Sequence, residues 1–383
     1  AEPRRPEAMA PAIRPLLLAL LLQWLPPISD ALRVKEGLES IPRVNVNLDL
    51  PPRERWKHLV PHYRDWYISI TPLRQRVLQL FDPAIIAALI RAARIDDELM
   101  EEIRGIHEAI NYPEATLEMA LIGHMKYELG LTERECSGVV AAMENGTMVH
   151  GRNMDLGPSN DWAKDGMIHT TFWRGGVPLF QTVGIFSLVG TGDGVRVGSW
   201  SMQQNTRHFP ESSRGELAER SVQAVERGAQ LYSFVLRRQL QDTASFDGVV
   251  ESVRHTPFAA PGYWVIAGAK PFQGAVITAR RQNAADGLHA EHDVVLLSPG
   301  AGPWFLVQTN DDWWHPNTRD PRRQFAMSTM GSRVKTSEDR AALQQHVWST
   351  MRSFPLCSGA TWYSWVSVPA LERFEITHDM CQR

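Results

Sequence analysis

The sequence predicts an α+β fold in which helices pack on antiparallel sheets. Three observations predict it. The 383 residues are 43% hydrophobic and 22% charged, which is a globular composition. A helical period dominates from about residue 53 to residue 130, and short β-like runs dominate after residue 136. Helices and strands that are segregated along the chain in this way are typical of layered α+β proteins.

The first 31 residues are predicted to be removed from the mature protein. Residues 1–8 are a polar leader, and a leucine-rich apolar run follows at 16–25. Ser29 and Ala31 occupy the small-residue positions of a signal-peptidase site. The apolar run is too short to span a bilayer, so we expect a secretory signal peptide and a soluble mature protein that begins directly after it.

The segment 32–135 is predicted to be mainly helical behind one opening strand. Residues 42–50 alternate apolar and polar side chains and are closed by two prolines, which indicates a strand. The predicted helices are 84–95, a segment with Leu99, Ile103, Ile106 and Ile110 on one face, and 117–129.

From Cys136 onward the pattern predicts strands. Ser137–Met143 and Met148–Arg152 flank Asn145-Gly146, a pair of residues that favours a hairpin turn. The later predicted strands are 167–173, 183–189, 195–202, 263–267, 275–279, 294–297 and 304–308, and the later predicted helices are 215–238 and 337–351. The composition of the mature chain changes most at 130–136, which indicates a boundary between two regions there.

Charge and cysteine content argue against several kinds of partner. A net charge of −3 and a pI near 6.5 provide no basic surface, so no nucleic-acid partner is expected. The cysteines Cys136, Cys357 and Cys381 are too few for a disulfide framework, and no two of them have the spacing of a zinc site. We therefore expect no metal and no cofactor, and at least one free thiol.

Cys136, Arg152 and Asp155 are brought together by the predicted hairpin. Arg152 and Asp155 follow Cys136 by 16 and 19 positions, and a turn at 145–146 returns the second strand beside the start of the first. A guanidinium favours a thiolate over a thiol, and a carboxylate accepts a hydrogen bond from an amine. The triplet therefore indicates nucleophilic chemistry. On spacing alone, however, a core thiol beside a surface ion pair is the commoner explanation.

Four segments in the same order along the chain resemble one enzyme family. They are 44–52 with Arg55-Trp56, 150–157, 260–280, and 307–310 with 313–314 and 322–323. In these segments the chain is similar to the family of acid ceramidase and N-acylethanolamine-hydrolysing acid amidase. That family belongs to the cholylglycine hydrolase-like N-terminal-nucleophile hydrolases. The resemblance extends from about residue 42 to the C-terminus.

The resemblance implies an αββα sandwich and self-cleavage between Glu135 and Cys136. The cut would separate a helical α subunit, 32–135, from a catalytic β subunit, 136–383, and the two fragments would remain partners. Cleavage would free the α-amino group of Cys136. With an unperturbed pKa of about 8, that amine would act as the base for the Cys136 thiol.

The resemblance also implies roles for individual residues. Arg152 would polarise the thiol, and Asp155 would hold the α-amino group. Asn310 would donate a hydrogen bond to the tetrahedral oxyanion, and Arg322 would support the polar end of the site. Thr206 stands where the family carries a glutamate, so the polar wall of the site is expected to differ.

The expected substrate is a fatty-acyl amide lipid. Segments 47–56 and 150–157 look closer to acid ceramidase, so a lysosomal ceramide amidase is favoured, with N-acylethanolamine hydrolysis as the alternative. A non-enzymatic lipid-binding relative is a third reading, because Thr206 and Glu135 depart from the family pattern. A lipid-presenting activator protein and transient contact with a membrane surface are further expected partners.

Other residues have weaker sequence signals. Trp162 and Trp173 follow the hairpin closely, so they are candidates for the lining of an acyl pocket, although ordinary core packing explains them as well. Asn145 begins an Asn-Gly-Thr glycosylation sequon on the predicted turn. Cys357 and Cys381 either pair with each other or leave one thiol free.

Overall fold

Two β-sheets stacked face to face lie at the centre of the structure. The computed structural model describes residues 41–131, 136–207, 213–281, 293–300, 302–314, 320–334, 336–378 and 381. They belong to one compact unit. The predicted leader and signal peptide, and Glu135 of the predicted cleavage site, lie outside the described residues.

The strands form a larger and a smaller sheet. In chain order they are β1 (Arg43–Asn47), β2 (Cys136–Ala142), β3 (Met148–Asp155), β4 (Met167–Arg174), β5 (Val177–Ile185), β6 (Asp193–Arg196), β7 (Trp200–Thr206), β8 (Gly262–Gly268), β9 (Gly274–Ala279), β10 (Val294–Leu296), β11 (Phe305–Gln308), β12 (Thr361–Val368) and β13 (Arg373–Thr377). Among the described residues, the larger sheet has the order β1-β4-β5-β6-β7-β8-β9-β10 and the smaller sheet has the order β11-β2-β3-β12-β13. Within the described ranges, β1 and β4 are the one pair of neighbouring strands that run parallel.

Helices cover the outer faces of both sheets. They are α1 (Val60–Ser69), α2 (Thr71–Leu78), α3 (Pro83–Ala92), α4 (Asp97–Ile110), α5 (Leu117–His124), α6 (Arg214–Glu226), α7 (Tyr232–Asp242), α8 (Phe246–His255), α9 (Pro321–Arg333), α10 (Ser337–Ala341) and α11 (Leu343–Met351). Helices α9 and α11 pack on the smaller sheet, and α7 and α8 pack on the larger one. The layers are therefore α, β, β, α, as the family resemblance implied. No helix in the described ranges is long and apolar enough to cross a bilayer.

Strand β2 is buried on both faces, which explains its small and branched side chains. Val139 belongs to an apolar cluster with Val347 of α11, while Val140 belongs to a cluster with Val265 of the larger sheet. Gly138 allows the two sheets to approach closely, because a Cβ there would lie 2.6 Å from Gln203 Nε2. The start of β2 is thereby held directly against the larger sheet.

The segment before Cys136 is tied to the rest of the fold by a strand and a buried ion network. Strand β1 forms an edge of the larger sheet beside β4. Glu102 is fully buried and accepts hydrogen bonds from Arg55 Nη1 at 2.7 Å, Trp56 Nε1 at 2.7 Å and Arg237 Nη2 at 3.2 Å. Arg237 follows Cys136 in the chain, so this network joins the two predicted subunits.

The structure confirms the predicted hairpin and most of the helices, and it corrects several boundaries. The predicted strand 195–202 is two strands, β6 and β7, because Gly198 turns the chain at φ +65°. The predicted helix 215–238 is two helices, α6 and α7, separated near Gly228 at φ +97°. Both glycines occupy left-handed conformations that interrupt a regular element.

Other predicted elements were too long, and some were missed. The predicted strand 183–189 ends at Ile185, and the predicted helix 117–129 ends at His124. The predicted helix 337–351 divides into α10 and α11. Helix α9 and strands β12 and β13 were not predicted; β12 is buried along its whole length, so its side chains lack the alternation that marks a half-buried strand. Cys357 and Cys381 form a disulfide with a Cα–Cα distance of 5.4 Å, and Cys136 is a free, buried thiol.

Candidate active site

Cys136 is the first residue of β2 and lies opposite Met154 of β3. The turn between these strands contains Gly146 at φ +84°, a conformation that glycine adopts without strain. The side chain of Cys136 is buried, with 4% of the residue exposed. The hairpin places Arg152 and Asp155 near it, as their spacing predicted.

The sulfur of Cys136 lies beside a guanidinium. Arg152 Nη2 is 3.9 Å from Cys136 Sγ, and Met154 Sδ is 3.8 Å from the same sulfur. Arg152 is fully buried, and its Nη1 donates a hydrogen bond to the Gln204 carbonyl at 3.0 Å. The positive charge is therefore held in a dry environment directly next to the thiol.

Arg152 keeps its charge because a carboxylate compensates it. Asp193 Oδ2 lies 2.6 Å from Arg152 Nε, and the Tyr363 hydroxyl donates a hydrogen bond to the same oxygen at 2.7 Å. Burial alone would lower the pKa of Arg152, but the charges of Asp193 and Cys136 outweigh it and raise that pKa. The side chain remains a cation in the protein interior.

The thiol itself is not activated in this arrangement. Burial raises the pKa of Cys136, and the neighbouring Asp155 carboxylate also raises it. The charge of Arg152 and a hydrogen bond from the Asp155 backbone oppose this shift without reversing it. Cys136 therefore stays protonated at neutral pH and needs a base before it can act as a nucleophile.

The segment before Cys136 also contributes side chains to this region. Burial lowers the pKa of Lys126 to about 8, and the charge of Cys136 opposes that shift. A Cβ on Gly192 would lie 3.0 Å from the Tyr127 hydroxyl and 3.9 Å from Arg152 Nη2, so the tyrosine and the guanidinium border the same small space. Neither Lys126 nor Tyr127 was predicted from the sequence to have a role in the site.

The backbone nitrogen of Cys136 has its own partner. It donates a hydrogen bond to Asn310 Oδ1 at 2.8 Å, and Asn310 Nδ2 donates to the Thr206 carbonyl at 2.7 Å. Arg322 Nη2 donates to Asn310 Oδ1 at 3.0 Å. Pairing of β11 with β2 sets this geometry, because Asn310 follows that strand by two residues. The oxygen of Asn310 thus faces the nitrogen of the nucleophile, and its amide nitrogen has a second hydrogen for another acceptor.

Arg322 closes the polar end of the site. It lies in the first turn of α9, and its Nε and Nη2 bind the two oxygens of Asp320 at 2.8 and 2.7 Å. Its Nη1 is 3.6 Å from Asp155 Oδ2. Burial disfavours the ionised form of Asp320, but hydrogen bonds and charge from Arg322 outweigh it and hold the pKa of Asp320 below its usual value. The structure therefore gathers the other four predicted catalytic residues, Arg152, Asp155, Asn310 and Arg322, around Cys136.

Several known proteins are similar to this chain in sequence, and one solved structure is also similar in fold. A family model described as the beta subunit of N-acylethanolamine-hydrolyzing acid amidase matches residues 39–94. The Caenorhabditis elegans N-acylethanolamine-hydrolyzing acid amidase is 26% identical, over 93% of this chain and 96% of that protein. Acid ceramidase of Mus musculus is 29% identical, over 72% of this chain and 71% of that protein. A solved structure of the C. elegans ortholog superposes with a TM-score of 0.52 at 26% identity, covering 61% of this chain and 93% of that one.

The chain is thus similar over most of its length to N-acylethanolamine-hydrolyzing acid amidase and to acid ceramidase. Its fold is the αββα sandwich of the N-terminal-nucleophile hydrolases.

The two tryptophans predicted to line an acyl pocket lie in different places. Trp162 is partly buried and packs edge-to-face on Trp362 at 6.2 Å, beside the start of β12 that pairs with Asp155. Trp173 lies on β4, where its indole nitrogen donates to Asn45 of the edge strand β1. Strands β5 and β6 separate β4 from β7, so Trp173 is roughly 14 Å from the strand that carries Thr206. The structure does not bring Trp173 to Cys136.

Of two further predicted residues, Thr206 lies in the site and Asn145 lies on the exposed hairpin turn. Thr206 contributes its carbonyl, which accepts the Asn310 hydrogen bond. Asn145 lies on the exposed hairpin turn, and its Oδ1 accepts a hydrogen bond from the Thr147 backbone at 3.0 Å. Glycosylation of Asn145 remains a prediction. The described residues contain no group of three or more acidic, histidine or cysteine side chains arranged to hold a metal.

Several polar residues that support the site were missed from the sequence. Gln203 Nε2 donates to the Ser137 carbonyl at 3.2 Å, and Asn205 Nδ2 donates to the Gln308 carbonyl at 3.0 Å. The sequence does contain a signal for them, because Ser201, Gln203 and Asn205 alternate along one strand and therefore share one face. Three buried polar residues on one strand face indicate a polar site between the sheets.

Proposed function

We propose that this chain is a cysteine amidase that hydrolyses fatty-acyl amide lipids with Cys136 as the nucleophile. The observation that carries the proposal is the position of Cys136 at the start of β2, where its nitrogen binds Asn310 and its sulfur faces Arg152. Support for the reaction class comes from relatives named acid ceramidase and N-acylethanolamine-hydrolyzing acid amidase.

The reaction begins after the Glu135–Cys136 bond is cut. The cut converts the backbone nitrogen of Cys136 into a primary amine that Asn310 Oδ1 holds in place. That amine takes the proton from Sγ, which is necessary because burial raises the pKa of the thiol. Arg152 then stabilises the thiolate.

The thiolate attacks the carbonyl carbon of the amide and forms a tetrahedral oxyanion. The free hydrogen of Asn310 Nδ2 is available to stabilise that oxyanion, as the resemblance implied. The ammonium of Cys136 gives its proton to the leaving amine, and the C–N bond breaks to leave a thioester. Water, deprotonated by the same amine, then hydrolyses the thioester and releases the fatty acid.

Two headgroups compete as substrates. The local resemblance of 47–56 and 150–157 to acid ceramidase favours ceramide, which would yield sphingosine and a fatty acid. The match to N-acylethanolamine-hydrolyzing acid amidase over 93% of the chain favours the ethanolamide. The predicted signal peptide supports a lysosomal or secreted enzyme that contacts membrane surfaces transiently, with a lipid-presenting activator protein as a further partner.

The test compares the full chain with Cys136→Ala at acidic pH. The parent chain should yield a fragment whose N-terminal sequence starts at Cys136, and it should release fatty acid from ceramide and N-palmitoylethanolamine supplied together. Cys136→Ala should stay intact and retain less than about one thousandth of the activity. A fragment that starts elsewhere, or full activity in an uncut chain, contradicts the mechanism. Binding of both lipids without hydrolysis identifies the non-enzymatic relative.

A further inference from the structure

Arg152 is oriented by groups from three different strands. Its Nε lies 2.6 Å from Asp193 Oδ2 on β6, and its Nη1 donates to the Gln204 carbonyl on β7 at 3.0 Å. The Tyr363 hydroxyl of β12 donates to the same Asp193 oxygen at 2.7 Å. Asp193 is fully buried and Tyr363 is 2% exposed. The groups that hold Arg152 are therefore all buried.

Because a guanidinium is planar, these contacts also limit the direction in which its remaining nitrogen, Nη2, can point. Its nitrogens lie in one plane, so the ion pair at Nε and the hydrogen bond from Nη1 together restrict the direction of Nη2. Nη2 then lies 3.9 Å from Cys136 Sγ and 3.2 Å from Met154 Sδ. Among the described residues, Asp193 makes its ion pair with Arg152 and not with Cys136, so we expect its effect on the sulfur to pass through Arg152.

Asp193 also sets how much positive charge the sulfur experiences. The charged groups around Cys136 are Arg152, Lys126, Asp155 and Asp193, with the buried hydroxyls of Tyr127 and Tyr363 beside them. Without the carboxylate of Asp193, the charge of Arg152 would be uncompensated in a low-dielectric interior. The thiolate would then form at a lower pH.

We propose that Asp193 is a positioning residue for the nucleophile: with Tyr363, it holds the guanidinium of Arg152 in the plane that directs Nη2 at Cys136 Sγ. The inference rests on the proposed function in that it takes Cys136 as the nucleophile. It adds a residue that neither the hairpin spacing nor the family resemblance identified.

The test uses Asp193→Asn in the full chain, with two measurements. The first is kcat and KM on the preferred lipid amide, for which we expect kcat to fall about tenfold with KM nearly unchanged, because a neutral amide anchors the guanidinium less firmly. The second is the pH dependence of alkylation by iodoacetamide, which reports on Cys136 because Cys357 and Cys381 are bonded to each other. We expect the alkylation midpoint to move to lower pH.

A matched control separates positioning from general loss of stability. Glu102 is also a fully buried carboxylate that binds a buried arginine, Arg237, but it lies outside the site. Glu102→Gln should lower the unfolding midpoint and leave the alkylation midpoint unchanged. An equal shift in Glu102→Gln would overturn the proposal, since the shift would then reflect a loosened fold.

A second variant tests the same role if Asp193→Asn does not fold. Tyr363→Phe removes one hydrogen bond to the same carboxylate, and we expect kcat to fall severalfold in a folded protein. The role of Asp193 is overturned if the variant that folds has the same kcat and the same alkylation midpoint as the parent chain. If the parent chain has no amidase activity, the proposed function fails, but the alkylation measurement still decides whether Asp193 acts on Cys136.

Discussion

The two sides of Cys136 are built differently. The sulfur side consists of Arg152, Asp193 and Tyr363, which come from strands and are almost completely buried. The nitrogen side consists of Asn310 from a loop and of Arg322 and Asp320 at the start of a helix, whose side chains are 10% and 11% exposed. The comparison indicates that the sulfur side depends on a full charge pair in a dry interior. The nitrogen side depends on a neutral amide and an ion pair near solvent.

This difference sets how each side should respond to mutation. A buried charge that loses its partner cannot be hydrated, so its loss should damage the fold as well as the reaction. A neutral amide is replaced at lower cost, because its loss leaves unpaired hydrogen-bonding groups but no uncompensated charge. We therefore expect activity and stability to be coupled on the sulfur side and largely separable on the nitrogen side.

The largest effect is expected for Arg152→Ala. The variant leaves the fully buried Asp193 without its cation, which should cost about 3–5 kcal/mol of unfolding free energy and abolish amidase activity. Urea unfolding and the fatty-acid release assay measure the two effects. The double variant Arg152→Met/Asp193→Leu should recover much of the stability and none of the activity. An unfolding free energy of Arg152→Ala within 1 kcal/mol of the parent would show that the pair does not bear on stability.

A smaller effect on stability and a clear effect on rate are expected for Asn310→Ala. The variant removes the acceptor for the Cys136 nitrogen and the donor to the Thr206 carbonyl, which should cost about 1–3 kcal/mol. It should lower kcat in cleaved protein by at least tenfold, and loss of an oxyanion donor elsewhere costs about 10²–10³. Single-turnover rates with the purified large fragment and its partner test this. An unchanged kcat would remove Asn310 from the catalytic machinery.

The sulfur side was only partly predictable from the sequence, and the reason is sequence distance. The Asn145-Gly146 turn fixes the hairpin locally, so the proximity of Arg152 and Asp155 to Cys136 follows from a count of residues. Asp193 enters through the packing of one sheet on the other, and no local pattern encodes that packing. Trp173 shows that nearness in sequence does not ensure nearness in space. It follows Cys136 closely in the chain, but its strand lies toward the far edge of the larger sheet.

The nitrogen side was predictable only through the family resemblance. Asn310 and Arg322 lie 174 and 186 positions after Cys136, and residue types alone favoured a turn amide and a surface charge. The pairing of β11 with β2 brings the loop of Asn310 to the nucleophile. The fold layers were predictable from hydrophobic periodicity, whereas the breaks at Gly198 and Gly228 were not, because their apolar patterns continue through the break.

The smallest effect on the unfolding free energy is expected for Asp320→Asn. The pH dependence of that effect tests how the nitrogen side differs from the sulfur side. The pKa of Asp320 is lower in the folded protein than its ordinary value of 3.8, so the ion pair with Arg322 contributes stability above pH 3.8 and loses it as the pH falls through the lower folded value. Because an asparagine can keep the N-cap hydrogen bond to the Arg322 backbone and only the charge is lost, the contribution should be about 1 kcal/mol. Urea unfolding should therefore give the same parent-to-variant difference at pH 7 and pH 5, and a smaller one at pH 3. The nitrogen side would then remain intact at the acidic pH where the proposed enzyme works. If the difference already disappears between pH 7 and pH 5, Asp320 is not held ionised by Arg322, and the nitrogen side depends on Asn310 alone.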